Sequence, residues 1–110
     1  MANKYINKAF DLNSTGAITI YTVPAETVAI VKTVQAYNDT ASAVTVTMSF
    51  TDASASTTYD IGYATSSTVQ QFSLLTDNLL VLEESDGLKL TASVGTQVTG
   101  VASILEQDRT

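Results

Sequence analysis

The fold class of this chain is indicated most clearly by the run Val44–Thr51, which reads VTVTMSFT. Apolar and hydroxyl-bearing side chains alternate at every step of this run. In an extended strand, residues two apart lie on the same face, so the four apolar side chains would face a core and the four hydroxyls would face outward. The run therefore predicts a β-strand that is buried on one face.

Similar alternation recurs in short runs along most of the chain. The runs cover residues 5–12, 17–23, 28–37, 59–63, 68–75, 79–82, 88–94 and 98–105. Short strands at such spacing are typical of antiparallel sandwiches and barrels. We therefore predict an all-β fold, a single antiparallel β-sandwich of about eight strands, either jelly-roll or Ig-like. One domain is expected to span residues 1–110.

One of the predicted strands, at residues 28–37, carries apolar side chains on both faces. Strict alternation places Val28, Ile30 and Val34 on one face, and Val31 and Tyr37 on the other. A strand of this kind is expected to be covered by protein on both sides.

The composition supports this fold class. The chain has 110 residues, and 18 Thr, 11 Val and 6 Ile make 35 of them β-branched. Such side chains are stiff and fit a pleated sheet well. Charged residues are only 15% of the chain, and Thr and Ser together number 29. We expect a hydroxyl-rich outer sheet face of the kind that meets other protein.

The charge and the missing residue types exclude several functions. The chain has no His and no Cys, which excludes His-based triads, thiol nucleophiles and ordinary structural zinc sites. A net charge of −6 disfavours nucleic-acid binding. No run approaches the roughly 20 apolar residues of a membrane span, and no targeting segment is expected, so assembly is predicted in a cytoplasm. We expect no enzyme activity and no cofactor.

Glu83, Glu84 and Asp86 form the densest acidic cluster of the chain. Paired carboxylates can serve in glycoside hydrolysis, and carboxylates with loop carbonyls can hold calcium. This cluster flanks a predicted tight turn and lacks the alternating acid spacing of a calcium loop. A solvated turn is the favoured interpretation, and cation binding stays open.

Two tyrosines are candidates for surface recognition. Strict alternation would place Tyr59 and Tyr63 on one face of a strand, with Ile61 between them. The favoured interpretation is a core stripe whose hydroxyls reach the rim. The alternative is a strip that binds sugar or protein, because Tyr is enriched at interfaces.

The N-terminal segment offers a second candidate for subunit contact. It contains Tyr5, Ile6 and Phe10. Residues 1–12 could form an arm that pairs with another subunit by strand addition, or simply the first strand of the sandwich. The residues do not decide between the two.

Three stretches resemble small β-sandwich virion proteins of tailed bacteriophages. Residues 20–34 read IYTVPAETVAIVKTV, with the Val-Pro-Ala turn followed by an apolar strand. Residues 38–47, NDTASAVTVT, resemble the next polar loop and Val-Thr strand, and residues 80–93, LVLEESDGLKLTAS, resemble the closing hairpin. The resemblance extends over about residues 18–105 and includes decoration, neck, tail and fibre proteins.

The resemblance implies a structural role in a virion. Its first implication is a capsid decoration (cement) protein, assembled as a homotrimer, that binds the major capsid protein or other virion proteins and bridges capsomers. A neck, tail or fibre component is the alternative within the same class. A carbohydrate-binding β-sandwich module that uses Tyr59 and Tyr63 is the alternative from another class.

Overall fold

The computed structural model of the chain describes residues 3–12, 15–39, 42–67, 69–75, 79–93 and 98–108. These residues form nine strands: β1 (Asn3–Leu12), β2 (Ile18–Thr22), β3 (Thr27–Asn38), β4 (Val44–Asp52), β5 (Thr57–Ser66), β6 (Gln70–Leu75), β7 (Leu80–Leu82), β8 (Gly87–Ala92) and β9 (Val98–Asp108). Each overlaps a predicted run, and residues 68 and 94 of those runs lie outside the described ranges. Within the described ranges no helix is long and apolar enough to cross a membrane.

The strands form two antiparallel sheets that pack into a sandwich. The first sheet has the order β1-β9-β3-β6, with β7 also paired to β3, and the second has the order β2-β8-β4-β5. The first two strands lie in opposite sheets, whereas an Ig sandwich keeps its first two strands in one sheet. The order is that of a jelly roll. The predicted all-β sandwich is confirmed, and the count is nine because β6 and β7 share one position beside β3.

The inward side chains of both sheets form one apolar core. Its fully buried members include Leu12, Val23, Val31, Val34, Val46, Leu82, Leu88, Leu90, Val98 and Ile104. Strand β4 contributes Val44, Val46 and Met48, all buried, as its alternation predicts. Its outward Thr45 and Thr47 are only partly exposed.

Strand β3 does not follow the strict alternation expected of it. Its register against β9 shifts between Val31 and Thr33. Because of the extra residue, Val31 and Val34 both face the core, although they were predicted on opposite faces. Val28 and Ile30 are half-buried on the outer face. The strand is thus covered more on its inner face than on its outer face.

Strand β2 contains a similar irregularity. Its register against β8 shifts between Thr19 and Tyr21. Beyond the shift Tyr21 and Val23 are buried, whereas Ile20 is only partly covered. The shift thereby points a phenol from β2 into the sandwich, toward β9.

Candidate interaction surfaces

Strand β5 is an edge of the second sheet, and no described strand pairs with its outer side. Three of its large side chains are exposed: Tyr59 by 46%, Ile61 by 40% and Tyr63 by 75%. The favoured expectation of a core stripe therefore does not hold for Tyr63. These residues form an apolar edge that is accessible to another protein, which we call the β5 edge.

The two tyrosines of β5 lie on opposite faces of the strand. The register between β4 and β5 shifts at Ile61, so Tyr59 lies opposite Phe50 whereas Tyr63 lies opposite Thr47. The rings of Phe50 and Tyr59 stack with their centroids 5.7 Å apart. Residues directly opposite in an antiparallel pair share a face, and Phe50 and Thr47 point to opposite faces of β4. The expected shared face is therefore absent, and a sugar-binding strip built from both rings loses its geometric basis.

The outer face shared by β4 and β5 is lined with hydroxyls. Side-chain hydrogen bonds join Thr45 to Thr65 (3.0 Å), Thr51 to Thr58 (3.0 Å) and Ser49 to Asp60 (2.7 Å). In the last of these the Ser49 hydroxyl donates to a carboxylate oxygen. This face matches the hydroxyl-rich surface expected from the composition, and it holds β5 in register against β4.

The N-terminal candidates are divided between surface and core. Strand β1 pairs with β9 along its whole length, from Asn3 to Leu12. Phe10 is only 7% exposed and belongs to the core, whereas Ile6 is half-buried beside it. Tyr5 is 75% exposed on the outer face of the sheet. Within this chain β1 is a sheet strand, and of the three candidates Tyr5 is the most available to a partner.

Tyr5 belongs to an apolar row that crosses the outer face of the first sheet. The pairing places Tyr5 of β1 beside Leu105 of β9, Leu105 beside Ile30 of β3, and Ile30 beside Val81 of β7. At about 4.8 Å between strands the row spans about 14 Å. The Lys32 ammonium lies 5.9 Å from the centre of the Tyr5 ring. The sequence pattern predicted apolar residues on outer strand faces. It could not show that they lie side by side, because this depends on the register between neighbouring strands.

The acidic cluster works mainly as a set of acceptors for backbone amides. Asp86 is 5% exposed, and its two carboxylate oxygens accept from the amides of Ala53 and Glu83, both at 2.9 Å. Glu84 accepts from the amide of Glu26 at 2.7 Å. The turn is therefore not simply solvated, because Asp86 ties the β4–β5 and β7–β8 turns together. Among the residues that the structure describes, no group of three acidic side chains could hold a metal ion.

A buried polar pair joins the two sheets near the same end of the sandwich. The Tyr21 hydroxyl donates to Glu106 Oε2 at 2.5 Å, and Lys4 lies 3.8 Å from the other carboxylate oxygen. Burial, and secondarily the adjacent carboxylate, raise the pKa of Tyr21 far above its ordinary value. The phenol therefore stays protonated as a permanent donor. A cleft of about 440 Å³ opens beside Glu106, between β1, β9 and the β2–β3 turn.

No known protein family matches the chain, and no curated protein matches it. Solved structures share its fold. The Eiger TNF of S. frugiperda superimposes with a TM-score of 0.53 at 11% identity, covering 96% of this chain and 94% of that one. A protein of the Bacillus endospore appendages, which are disulfide-linked pili, superimposes with a TM-score of 0.51 at 10% identity, covering 99% of this chain and 88% of that one. The capsid structure of Helicobacter pylori bacteriophage KHP30 is a weaker match, with a TM-score of 0.49 at 15% identity over 96% of this chain and 87% of that one.

Proposed function

We propose that this chain is a structural subunit of a tailed-phage virion, and specifically a decoration protein that binds the outside of the capsid. The apolar row of Tyr5, Leu105, Ile30 and Val81 is the observation that carries the proposal. It lies on the outer face of a sheet, where Tyr5 is 75% and Val81 58% exposed. The resemblance of residues 18–105 to small virion proteins supports the same role.

The row would dock on the major capsid protein, and the subunit would act by bridging adjacent capsomers. Apolar area removed from water contributes roughly 25 cal/mol per Å², so a row of four side chains makes a modest contact. A closed homo-oligomer, for which a trimer is our proposal, repeats that contact and raises avidity without a strong single site. Opening of the shell would then have to break the additional interfaces.

The acidic character of the chain fits a position outside the shell. A net charge of −6 gives the subunit little attraction for the packaged genome. Docking through an apolar row also differs physically from docking through charge, because it weakens little as ionic strength rises. Binding that survives high salt is therefore part of the proposal.

The test is to heat particles that lack this protein, with and without purified protein added back, and to measure the temperature at which the shells rupture. Wild-type protein is expected to raise that temperature, and Tyr5→Ser is expected to lose most of the effect. Tyr63→Ser is the matched control, because Tyr63 is equally exposed at 75% but lies on the other sheet. Equal rupture temperatures with and without the wild-type protein would overturn the cementing role.

A further inference from the structure

The β5 edge differs from the other sheet edges in having few of the features that prevent strand pairing. Natural edge strands are commonly short or carry lysine or proline. Strand β1 carries Lys4 and Lys8, and β2, β6 and β7 have only 5, 6 and 3 residues. Strand β5 has ten residues, one charge at Asp60 and no proline, and its one protective feature is the register shift at Ile61, since bulges also hinder edge pairing. It therefore presents a long, nearly uncharged edge to other chains.

The register shift at Ile61 makes β5 compatible with a second copy of itself. Full-length antiparallel pairing of a ten-residue strand with its own copy places the two-fold axis between Ile61 and Gly62. In a regular strand this register would oppose inward with outward side chains, because the side-chain period is two. In β5 the extra residue at Ile61 reverses the inward–outward alternation of the side chains at the position of the axis. Residues equidistant from the axis consequently point to the same face.

We propose that two copies of this chain pair their β5 strands antiparallel across this axis and join their second sheets into one continuous sheet. On the inner face Tyr59 would then lie opposite Ala64 of the partner subunit. Tyr59 stacks on Phe50, and Ala64 packs against the core, which identifies both as inward residues. A large ring thus meets a small side chain, and the half-exposed Tyr59 becomes covered.

The outer face of the joined sheets is complementary in the same register. Thr58 lies opposite Thr65 of the partner subunit, which would extend the Thr51–Thr58 and Thr45–Thr65 hydroxyl pairs across the junction. Tyr63 lies opposite Asp60 of the partner subunit, so a phenol donor meets a carboxylate acceptor. The two Asp60 carboxylates do not face each other, and like-charge repulsion is avoided.

This contact does not depend on the virion role, and it can join single copies or two closed oligomers. The apolar row is on the other sheet and stays free for a different partner. One strand pair covers less than the roughly 800 Å² per partner of a standard stable interface. Its affinity is accordingly expected to be modest, and sedimentation should be measured over a wide range of concentration.

The first test places a lysine at the axis. Ile61→Lys puts two ammonium groups close together at the junction, and it is expected to halve the mass that the wild-type protein reaches at high concentration in sedimentation equilibrium. Leu79→Lys is the matched control, because it also puts lysine on an exposed aliphatic position, 60% exposed, but next to β7 of the other sheet and outside the apolar row. Wild-type mass in both variants would overturn the proposal.

The second test traps even a transient contact by disulfide crosslinking of an introduced cysteine. The chain has no natural cysteine that could compete. Gly62→Cys is tolerated sterically, since a Cβ there meets no atom within 4 Å. Two copies of residue 62 would be about 6 Å apart between Cα atoms, within disulfide range, whereas residues 65 would be about 23 Å apart. Gly62→Cys is expected to form disulfide-linked dimers on mild oxidation, and Thr65→Cys is not. Equal dimer yields, or none from Gly62→Cys, would contradict this pairing.

Discussion

The Tyr21–Glu106 hydrogen bond links the two sheets through a buried carboxylate. Replacement of Tyr21 by Phe removes the hydroxyl that donates to the buried Glu106 carboxylate. Loss of a hydrogen bond to a buried charged group costs about 1.5–3 kcal/mol, so Tyr21→Phe is expected to lower the free energy of unfolding by that amount. Urea titration measures it. Tyr5→Phe, at an exposed ring, serves as the control and is expected to stay within about 0.5 kcal/mol of wild type.

The same bond predicts a dependence of stability on alkaline pH. The unfolded phenol loses its proton near its ordinary pKa of 10.0, whereas the folded phenol keeps its proton because its pKa is raised. Above pH 10 the unfolded chain therefore binds fewer protons than the folded chain, and stability falls as pH rises. Tyr21→Phe has no such group. The stability advantage of wild type over Tyr21→Phe is expected to be full at pH 8 and to shrink above pH 10, and a constant difference would contradict this account.

Two glycines offer a matched pair for testing the packing of β9 against β1. A Cβ on Gly100 would overlap the Gln35 carbonyl oxygen and lie 2.6 Å from Phe10 Cζ. Gly100→Ala is therefore expected to lower stability by about 1–3 kcal/mol, as overpacking does. Gly62→Ala meets open space and is expected to be neutral or to stabilise by up to about 1 kcal/mol. Thermal unfolding of both variants is the measurement, and equal melting temperatures would show that neither the Gln35 carbonyl nor the Phe10 ring confines this position.

At the scale of elements, Asp86 links three turns at one end of the sandwich. Its carboxylate accepts from the amides of Ala53 and Glu83, and its carbonyl oxygen accepts from the Val23 amide at 2.9 Å. Asp86→Ala leaves two amides without their acceptor and is expected to cost about 2–4 kcal/mol of stability. Glu83→Ala, which removes an exposed carboxylate next to it, is expected to change stability by less than about 0.5 kcal/mol. Similar losses in both variants would mean that the cluster acts only through its charge.

Deletion of strand β1 tests whether its pairing with β9 is needed for the first sheet to fold. It covers β9 over its whole length and supplies Phe10 and Leu12 to the core. Deletion of residues 1–12 is expected to abolish the cooperative unfolding transition in circular dichroism, while deletion of residues 1 and 2 alone leaves it unchanged. A shortened chain that melts like the full one would identify this segment as a dispensable arm.

Alternation predicted the strands well where their pairing is regular. Strand β4 pairs without interruption to β8, and Val44, Val46 and Met48 are buried as VTVTMSFT predicts. Phe50 is only partly buried and Ser49 is 5% exposed, so the match weakens at the end of the strand. Strands β3 and β5 contain register shifts, and the faces predicted for them fail beyond the shift. A register shift is a property of the pairing between two strands, so the sequence pattern of one strand does not predict it.

In the candidate surfaces, too, features set by one strand could be predicted, whereas features set by pairing between distant parts of the chain could not. Exposure of Tyr5 follows from its position opposite the core-facing residues of β1. The role of Asp86 depends on Ala53, which is 33 residues away and meets it only in the folded chain. The apolar row depends likewise on four strands coming into line. Composition and motifs could indicate an interaction protein, but only the register shows which residues make the surfaces.

At the scale of the whole molecule, the jelly roll separates two surfaces on its two sheets. The apolar row lies on the outer face of the first sheet, and the β5 edge belongs to the second. In the two proposals, the first surface binds the shell and the second binds a copy of the same chain. We therefore expect Tyr5→Ser to impair attachment to particles without changing self-association, and Ile61→Lys to do the reverse. Pelleting with capsids and sedimentation of the free protein measure the two properties, and loss of both in either variant would contradict their separation.

The most direct measurement of the proposed decoration role is a cryo-electron microscopy reconstruction of phage particles purified from the cells in which this chain is produced. The account predicts jelly-roll density on the outer surface of the shell, with the β1-β9-β3 sheet facing the capsomers. Density confined to the neck or tail would contradict the decoration role, and particles without this protein would contradict the structural role altogether.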